Sequence, residues 1–208
     1  MENNFQMVAK TLFGFEDLLE KELAQLGGQR VKKGVRNVTF YGDTGFMYKC
    51  NLALRTAIKI LKPIASFKVI NEKDLYDKIY NIKWENYIDH TGTIAINSTV
   101  HSNVFTHSQY ISLKAKDAIV DRIRSISGER PSVDLKFPDL KINIHIDKLF
   151  CNVSLDSSGE SLHKRGYKTA TNIAPINEVL AAGLIMLSGW DGQSDLLDPM
   201  CGLSLIHI

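Results

Sequence analysis

The chain has no run of about 18 apolar residues, the length a helix needs to cross a bilayer, so no membrane span is expected. Its opening, MENNFQMVAK, lacks the charged-then-apolar layout of a secretory signal. Cysteine is scarce: Cys50, Cys151 and Cys201 are odd in number and far apart. That spacing excludes a disulfide framework and a zinc site built from paired cysteines, so no metal and a cytoplasmic location are expected. Charge of one sign is also lacking, since 25 Lys and Arg against 23 Asp and Glu leave +2. A basic surface must therefore come from local clustering. No G-x-S-x-G occurs, and His101 and His107 lack the carboxylate or cysteine spacing of metal and acid–base sites. The lone His90 and His145 are expected to be accommodated without ligand roles. No N-P-P-Y or D-P-P-Y segment is present.

What is present is a chain of 208 residues, 44% hydrophobic and 23% charged, enough for one large domain or two small ones. Phe5 to Leu12 is strand-like, and Phe15, Leu18, Leu19, Leu23 and Leu26 recur at helical spacing before Gly27-Gly28 stops the helix. A hairpin is predicted over Arg30–Lys33 and Arg36–Tyr41. Asp43 is a candidate cap for a helix running to about Ala57, with Phe46, Tyr48, Leu52 and Leu54 available for packing. Ile58–Phe67 closes the unit as a strand, with Pro63 more comfortable at a sheet edge. The order βαββαβ is that of a ferredoxin-like unit.

A second unit follows. Helix is predicted over Glu72–Tyr80, strand over Thr93–Val100, and a long helix over Ser108–Ile126. After a turn at Ser127–Pro131 come strands at Val133–Phe137, Lys141–Asp147 and Leu149–Leu155, the last two joined by a tight turn at Asp147-Lys148. On the long helix, Ile111, Ala115, Ala118, Ile119, Ile123 and Ile126 share one arc. Lys114, Asp117, Asp121 and Arg124 lie opposite, placing Lys114–Asp117 and Asp121–Arg124 at i,i+3 spacing. Arg122 falls inside the arc and needs a partner or room to snorkel. That polar side is either a solvated face or, with Lys114, Lys116 and Arg124 beside Arg130, a set of phosphate contacts.

Residues 156–172 are polar and irregular and read as an interdomain segment. Within them His163-Lys164-Arg165-Gly166-Tyr167-Lys168 is the densest basic stretch. It could grip a phosphate backbone and stack a base, or be a solvated linker. Ile173–Ser188 reads as a helix starting near Pro175, with Ile176, Val179, Leu180, Gly183, Leu184 and Leu187 as its apolar stripe. Glu178 reads as a surface acid on that helix. Leu196-Leu197-Asp198-Pro199-Met200-Cys201-Gly202 has the layout of a first strand and ligand loop in a doubly wound sheet.

The segments SLDSSGESLHKRGY, APINEVLAAGLIMLSGW and LLDPMCG, with KAKDAIVDRIRSISGERPSVD upstream, resemble the THUMP-containing 23S ribosomal RNA (guanine-N2) methyltransferases. The resemblance implies an α+β protein with a ferredoxin-like domain over 1–67 and a THUMP RNA-binding domain over 68–157. A linker over 158–172 and the start of a Rossmann-like methyltransferase domain over 173–202 would follow. It implies S-adenosylmethionine as cofactor, with Asp198, Pro199, Met200, Cys201 and Gly202 in its loop, and large-subunit ribosomal RNA as partner. Leu203 and Ser204 stand where the family's motif has Ser-Gly, so residues 203–208 are expected to be a non-native tail. The catalytic motif is expected beyond Ile208, leaving a polypeptide that binds RNA weakly and does not methylate. Two alternatives stay open: a stand-alone THUMP module serving transfer-RNA modification, and a DNA adenine-N6 methylase.

Overall fold

The computed structural model describes residues 4–165 and 176–199. Its contacts divide the chain into two compact units, the first made of Met1–Leu61 with Ser157–Ile208, the second of Lys62–Asp156.

In the first unit the order is β1 (Phe5–Lys10), α1 (Glu16–Leu26), β2 (Gln29–Lys33), β3 (Asn37–Gly42), α2 (Thr44–Ala53) and the opening of β4 (Lys59–Lys68). The strands lie in the order β2-β3-β1-β4, all neighbours antiparallel. This is the ferredoxin-like arrangement. Period-two alternation turns Met7, Ala9, Val38 and Phe40 to one side, where they pack with Leu19 and Leu23 of α1 and Cys50 of α2. Gly27 ends α1 at φ 102°, a left-handed conformation that a side chain would strain. The Asp43 carboxylate accepts from the Phe46 amide at 2.7 Å and caps α2 as expected. That helix stops at Ala53 rather than Ala57, because Leu54 turns extended and delivers Leu54, Thr56 and Ala57 to the interior. Tyr48 and Leu52, expected to pack, are exposed. Pro63 stands beyond Leu61, the last β4 residue paired with β1, so its missing N–H interrupts no β1 rung.

One buried carboxylate organises the α2–β4 connection. Glu22 is only 5% exposed. It accepts from the Thr56 amide at 3.0 Å, the Thr56 hydroxyl at 2.6 Å and the Arg55 Nε at 3.0 Å. Such a group is tolerated inside only because each lone pair finds a donor.

The second unit contains the rest of β4, α3 (Glu72–Tyr80), a 3-10 turn (Trp84–Asn86), β5 (Thr93–His101), α4 (Ser108–Ser127), β6 (Ser132–Val133), β7 (Leu140–Asp147) and β8 (Phe150–Asp156). Its strands run β4-β8-β7-β5-β6. β5 is parallel to both β7 and β6, whereas β7 and β8 form the expected antiparallel hairpin, turning at Lys148 with φ 54°. Parallel neighbours need a long crossover, and α4 lies in the β5–β7 connection. The core joins Leu75, Ile79 and Trp84 with Ile94, Ile111, Ile119, Ile142 and Ile144. Trp84 is fully buried and donates its indole N–H to the Ile79 carbonyl at 2.8 Å. Of the expected Val133–Phe137 strand only Val133 pairs, as the second residue of β6. The Asp134 carboxylate instead accepts the amides of Lys136 and Phe137, bending the chain out of the sheet.

The segment read as a linker is fastened from Ser157 to Arg165 within the first unit. Ser157 and Leu162 donate their amides to the carbonyls of Ile60 and Ile58, and Leu162 packs against the core of that unit. The terminal helix, α5, runs from Glu178 to Ser188, later than the expected start at Ile173. Ile173 and Pro175 lie outside the described residues. Asn177 sets the start, its side-chain oxygen accepting the amides of Val179 and Leu180. Val179, Ala181 and Gly183 are buried, but Ile176, Leu184 and Leu187 of the expected stripe are exposed.

Candidate nucleic-acid interface

The long helix α4 carries most of the cations read from the sequence. It buries Ile111, Ala115, Ala118, Ile119 and Ile123 as expected; Val120 joins them, while Ile126 is exposed. Gly128 ends it at φ 80°, its amide returning to the Arg124 carbonyl. Arg122 resolves its awkward position by pairing with Glu85 at 2.7 Å, its guanidinium over Tyr80. Arg124 lies 3.8 Å from Asp121, the pair expected from spacing. The Lys114–Asp117 pair does not form. Lys116 takes Asp117 at 2.6 Å, and Lys114 sits over the Tyr76 ring at 5.3 Å. Tyr76 in turn donates to Asp121 at 2.6 Å, and that hydrogen bond, with desolvation, pushes its phenol up to about 12. Arg130, one turn past the helix, is exposed and makes no ion pair among the described residues.

These pairs are surface pairs, worth about 0–1 kcal/mol each. A polyphosphate can therefore recruit Lys114, Lys116 and Arg124 at little cost to the fold. Beside them a cleft of about 360 Å³ opens, lined by Ile96 and Ser98 of β5, Gln109, Ser112 and Lys116 of α4, and Leu135. Sequence reasoning missed this cleft, because β5, the first turns of α4 and the bend after β6 meet only through the parallel crossover. The Asp134 bend was the available signal: an Asp side chain forms a turn by accepting the backbone amide two residues on.

The second basic stretch divides. Lys164 is exposed and near Glu160 at 3.6 Å, and His163 shares a 2.8 Å hydrogen bond with Ser161. Arg165 is committed elsewhere. Its guanidinium donates to the carbonyls of Asn51, Leu52 and Leu54 at 2.9, 3.1 and 2.6 Å, and its amide donates to Glu178 at 2.9 Å. The carbonyls at the end of α2 need donors, so Arg165 acts there as a clamp. Tyr167 and Lys168 lie outside the described residues.

Of the expected cofactor loop, Asp198 and Pro199 are described and exposed; Met200, Cys201 and Gly202 lie outside the described residues, as do 203–208. The strand expected at Leu196-Leu197 is not formed, and both leucines are exposed. No neighbouring described strand offers it hydrogen bonds, and an unpaired strand leaves its backbone groups to water. Cys50 and Cys151 are buried, which pushes each thiol up to about 12 and makes them unreactive core groups. Among the described residues no cluster of three or more His, Cys, Asp or Glu is placed to hold a metal ion. No described helix is long and apolar enough to cross a membrane.

Fold and surface together define a two-unit α+β protein of the THUMP class. Residues 69–156 match the THUMP domain, residues 6–61 the RlmL ferredoxin-like domain, and residues 165–208 the RMKL-like methyltransferase domain. The chain thus matches, in succession, three domains found in THUMP-containing methyltransferases. It is 41% identical over 189 residues to a Synechocystis sp. protein assigned to the RNA methyltransferases, covering 91% of this chain and 49% of that protein. It is 40% identical over 192 residues to the ribosomal RNA large subunit methyltransferase K/L of Marinomonas sp., covering 91% of this chain and 27% of that enzyme. The chain thus spans half or less of the length of these curated relatives. Among solved structures it resembles SMU.472 in complex with SAH, at TM-score 0.84 and 30% identity, covering 99% of this chain and 54% of that one. A Listeria monocytogenes protein described as an N6-adenine-specific DNA methylase gives TM-score 0.85 at 30% identity, covering 98% and 53%.

Proposed function

We propose that this chain is the RNA-reading part of an S-adenosylmethionine-dependent methyltransferase that modifies a guanine N2 in large-subunit ribosomal RNA. The observation that carries the reading is the succession in one chain: a THUMP match over the second unit, then a methyltransferase match from residue 165 onward. The SAH-bound neighbour supports a cofactor of the S-adenosylmethionine type. The Marinomonas relative supports ribosomal RNA as substrate. Lys114, Lys116, Arg124 and Arg130, with His163, Lys164, Tyr167 and Lys168, position folded RNA through phosphate contacts that carry no sequence information. The target base leaves its stack to reach the cofactor, as bases modified at an exocyclic group must. Asp198 to Gly202 serve the cofactor, with the Asp198 carboxylate suited to an amino-bearing ligand.

The test is to disrupt the gene that encodes this sequence and survey ribosomal and transfer RNA by mass spectrometry. Loss of one N2-methylguanine from large-subunit ribosomal RNA is the expected outcome. An unchanged ribosomal RNA with a lost transfer-RNA nucleoside would sink the reading in favour of transfer-RNA modification. A lost N6-methyladenine in DNA would move it to the activity described for the Listeria protein.

A further inference from the structure

The bend after β6 presents an aromatic side chain that the fold does not use. Phe137 is 84% exposed and Leu135 77% exposed, two residues apart on a turn that is nonetheless fixed. Asp134 accepts the Lys136 amide at 2.8 Å and the Phe137 amide at 3.0 Å. Two residues further on, the Asp139 carboxylate accepts the Thr93 amide and hydroxyl at 2.8 and 2.7 Å, and the Thr93 hydroxyl accepts the Asp139 amide. Both ends of the turn are thus tied down while its apolar side chains face water. A rigid exposed aromatic costs little entropy to engage, and exposed apolar groups grouped together mark interaction sites.

Two cations beside it are placed to meet a phosphate. Lys136 adjoins Phe137, and Arg130 lies at the start of the same segment; neither side chain has an ion-pair partner among the described residues. The three carboxylates of the segment keep their charge but are held in contacts of their own: Asp134 on the amides of Lys136 and Phe137, Asp139 on Thr93, and Glu129 3.4 Å from His90. Leu135 forms one wall of the cleft that Lys116 also lines, and Gln109, Ser98 and Ser112 offer that cleft donors and acceptors. Its volume of about 360 Å³ falls in the range of small-ligand clefts, about 300–1,000 Å³.

We propose that the Leu135–Phe137 turn and the adjoining cleft bind unpaired nucleotides of RNA, with a base stacked on Phe137 and the flanking phosphate on Lys136. The inference rests on the RNA-binding reading and sharpens it: this unit reads a single-stranded element, not duplex shape. Stacking is sequence-tolerant, because every base has a π-face. The polar groups of the cleft then supply what selectivity the unit has.

The experiment measures binding of the purified chain to a labelled single-stranded RNA and to a blunt duplex of the same sequence, across a salt series. Phe137→Ala is expected to weaken single-strand binding about fivefold to a hundredfold, leaving the salt slope and duplex binding unchanged. Phe137→Trp restores it. Because the side chain is exposed, both variants keep the parent's unfolding midpoint, which is measured alongside. Single-strand binding unaffected by Phe137→Ala overturns the inference, as does equal loss on both RNAs or a parent that prefers the duplex. If the parent binds RNA with a lysine-dependent salt slope while Phe137 is silent, the inference falls and the RNA-binding reading stands. If the parent binds neither RNA, both fall.

Discussion

The two units hold themselves together by different means. The second is a continuous stretch, Lys62–Asp156, and its interior is apolar apart from Ser154, with Trp84 and a set of isoleucines filling the space between helices and sheet. The first is discontinuous: its chain leaves at Leu61 and returns at Ser157. From Ser157 to Arg165 the returning segment forms neither strand nor helix, so hydrogen bonds hold it. The Ser158 hydroxyl donates to Asn51 at 2.6 Å, the Asn51 amide donates to the Ser157 hydroxyl at 3.0 Å, and Arg165 clamps the end of α2. A continuous unit can rely on hydrophobic area alone, which is non-directional. A returning segment must be placed in register, and directional polar contacts do that.

This contrast can be broken from either side. The largest effect is expected from Trp84→Ala, which removes a fully buried indole and one of the two donors to the Ile79 carbonyl, the Ile82 amide remaining; it should cost the second unit about 3–5 kcal/mol. Hydrogen exchange resolved by segment should show lost protection in residues 62–156, with the β1–β3 pairing kept. Uniform loss across both units would show that they unfold as one and erase the distinction. Next is Glu22→Gln, which keeps the shape of the side chain but replaces one acceptor oxygen by a donor facing groups that themselves donate. About 2–3 kcal/mol should be lost from the first unit, read as a lower urea midpoint for its amides alone.

The smallest effect sharpens the comparison most. Arg165→Ala should lower stability by about 1–2 kcal/mol through the freed carbonyls of Asn51, Leu52 and Leu54, and should speed proteolysis near residue 160. The slope of RNA affinity against salt should not move. Lys116→Ala should do the reverse, leaving stability unchanged and reducing that slope by about one. A salt slope that falls with Arg165→Ala would return this residue to the RNA surface, where its position in a basic stretch had placed it.

How much could be read in advance differs along the chain for a physical reason. Helices α1, α3 and α4 and strands β1, β3, β5 and β7 follow from side-chain periodicity, which is a property of the local chain. Gly27, Gly128 and Gly189 marked helix ends because each ends a helix in the left-handed conformation that glycine adopts without strain. The end of α2 was misplaced because Leu54 and Ala57 are apolar at helical spacing, yet they are buried from an extended stretch. The cations of α4 were found as residues, but their partners were not: the aromatic rings beneath Lys114 and Arg122 come from α3, through packing that spacing on α4 cannot report.

The sequence by itself determined the order of elements, the inward face of most of them and the family it resembles, since these depend on residues close together or on motifs read in line. Only the tertiary structure decided the parallel pairing of β5 with β7, the carboxylate Glu22 as a buried hub, the cleft beside Leu135, and the fate of Arg165. Arg165 meets the Leu54 carbonyl across 111 residues of chain. A contact at that separation forms only when the rest of the fold has already brought its ends together, because loop closure must be offset by everything packed in between.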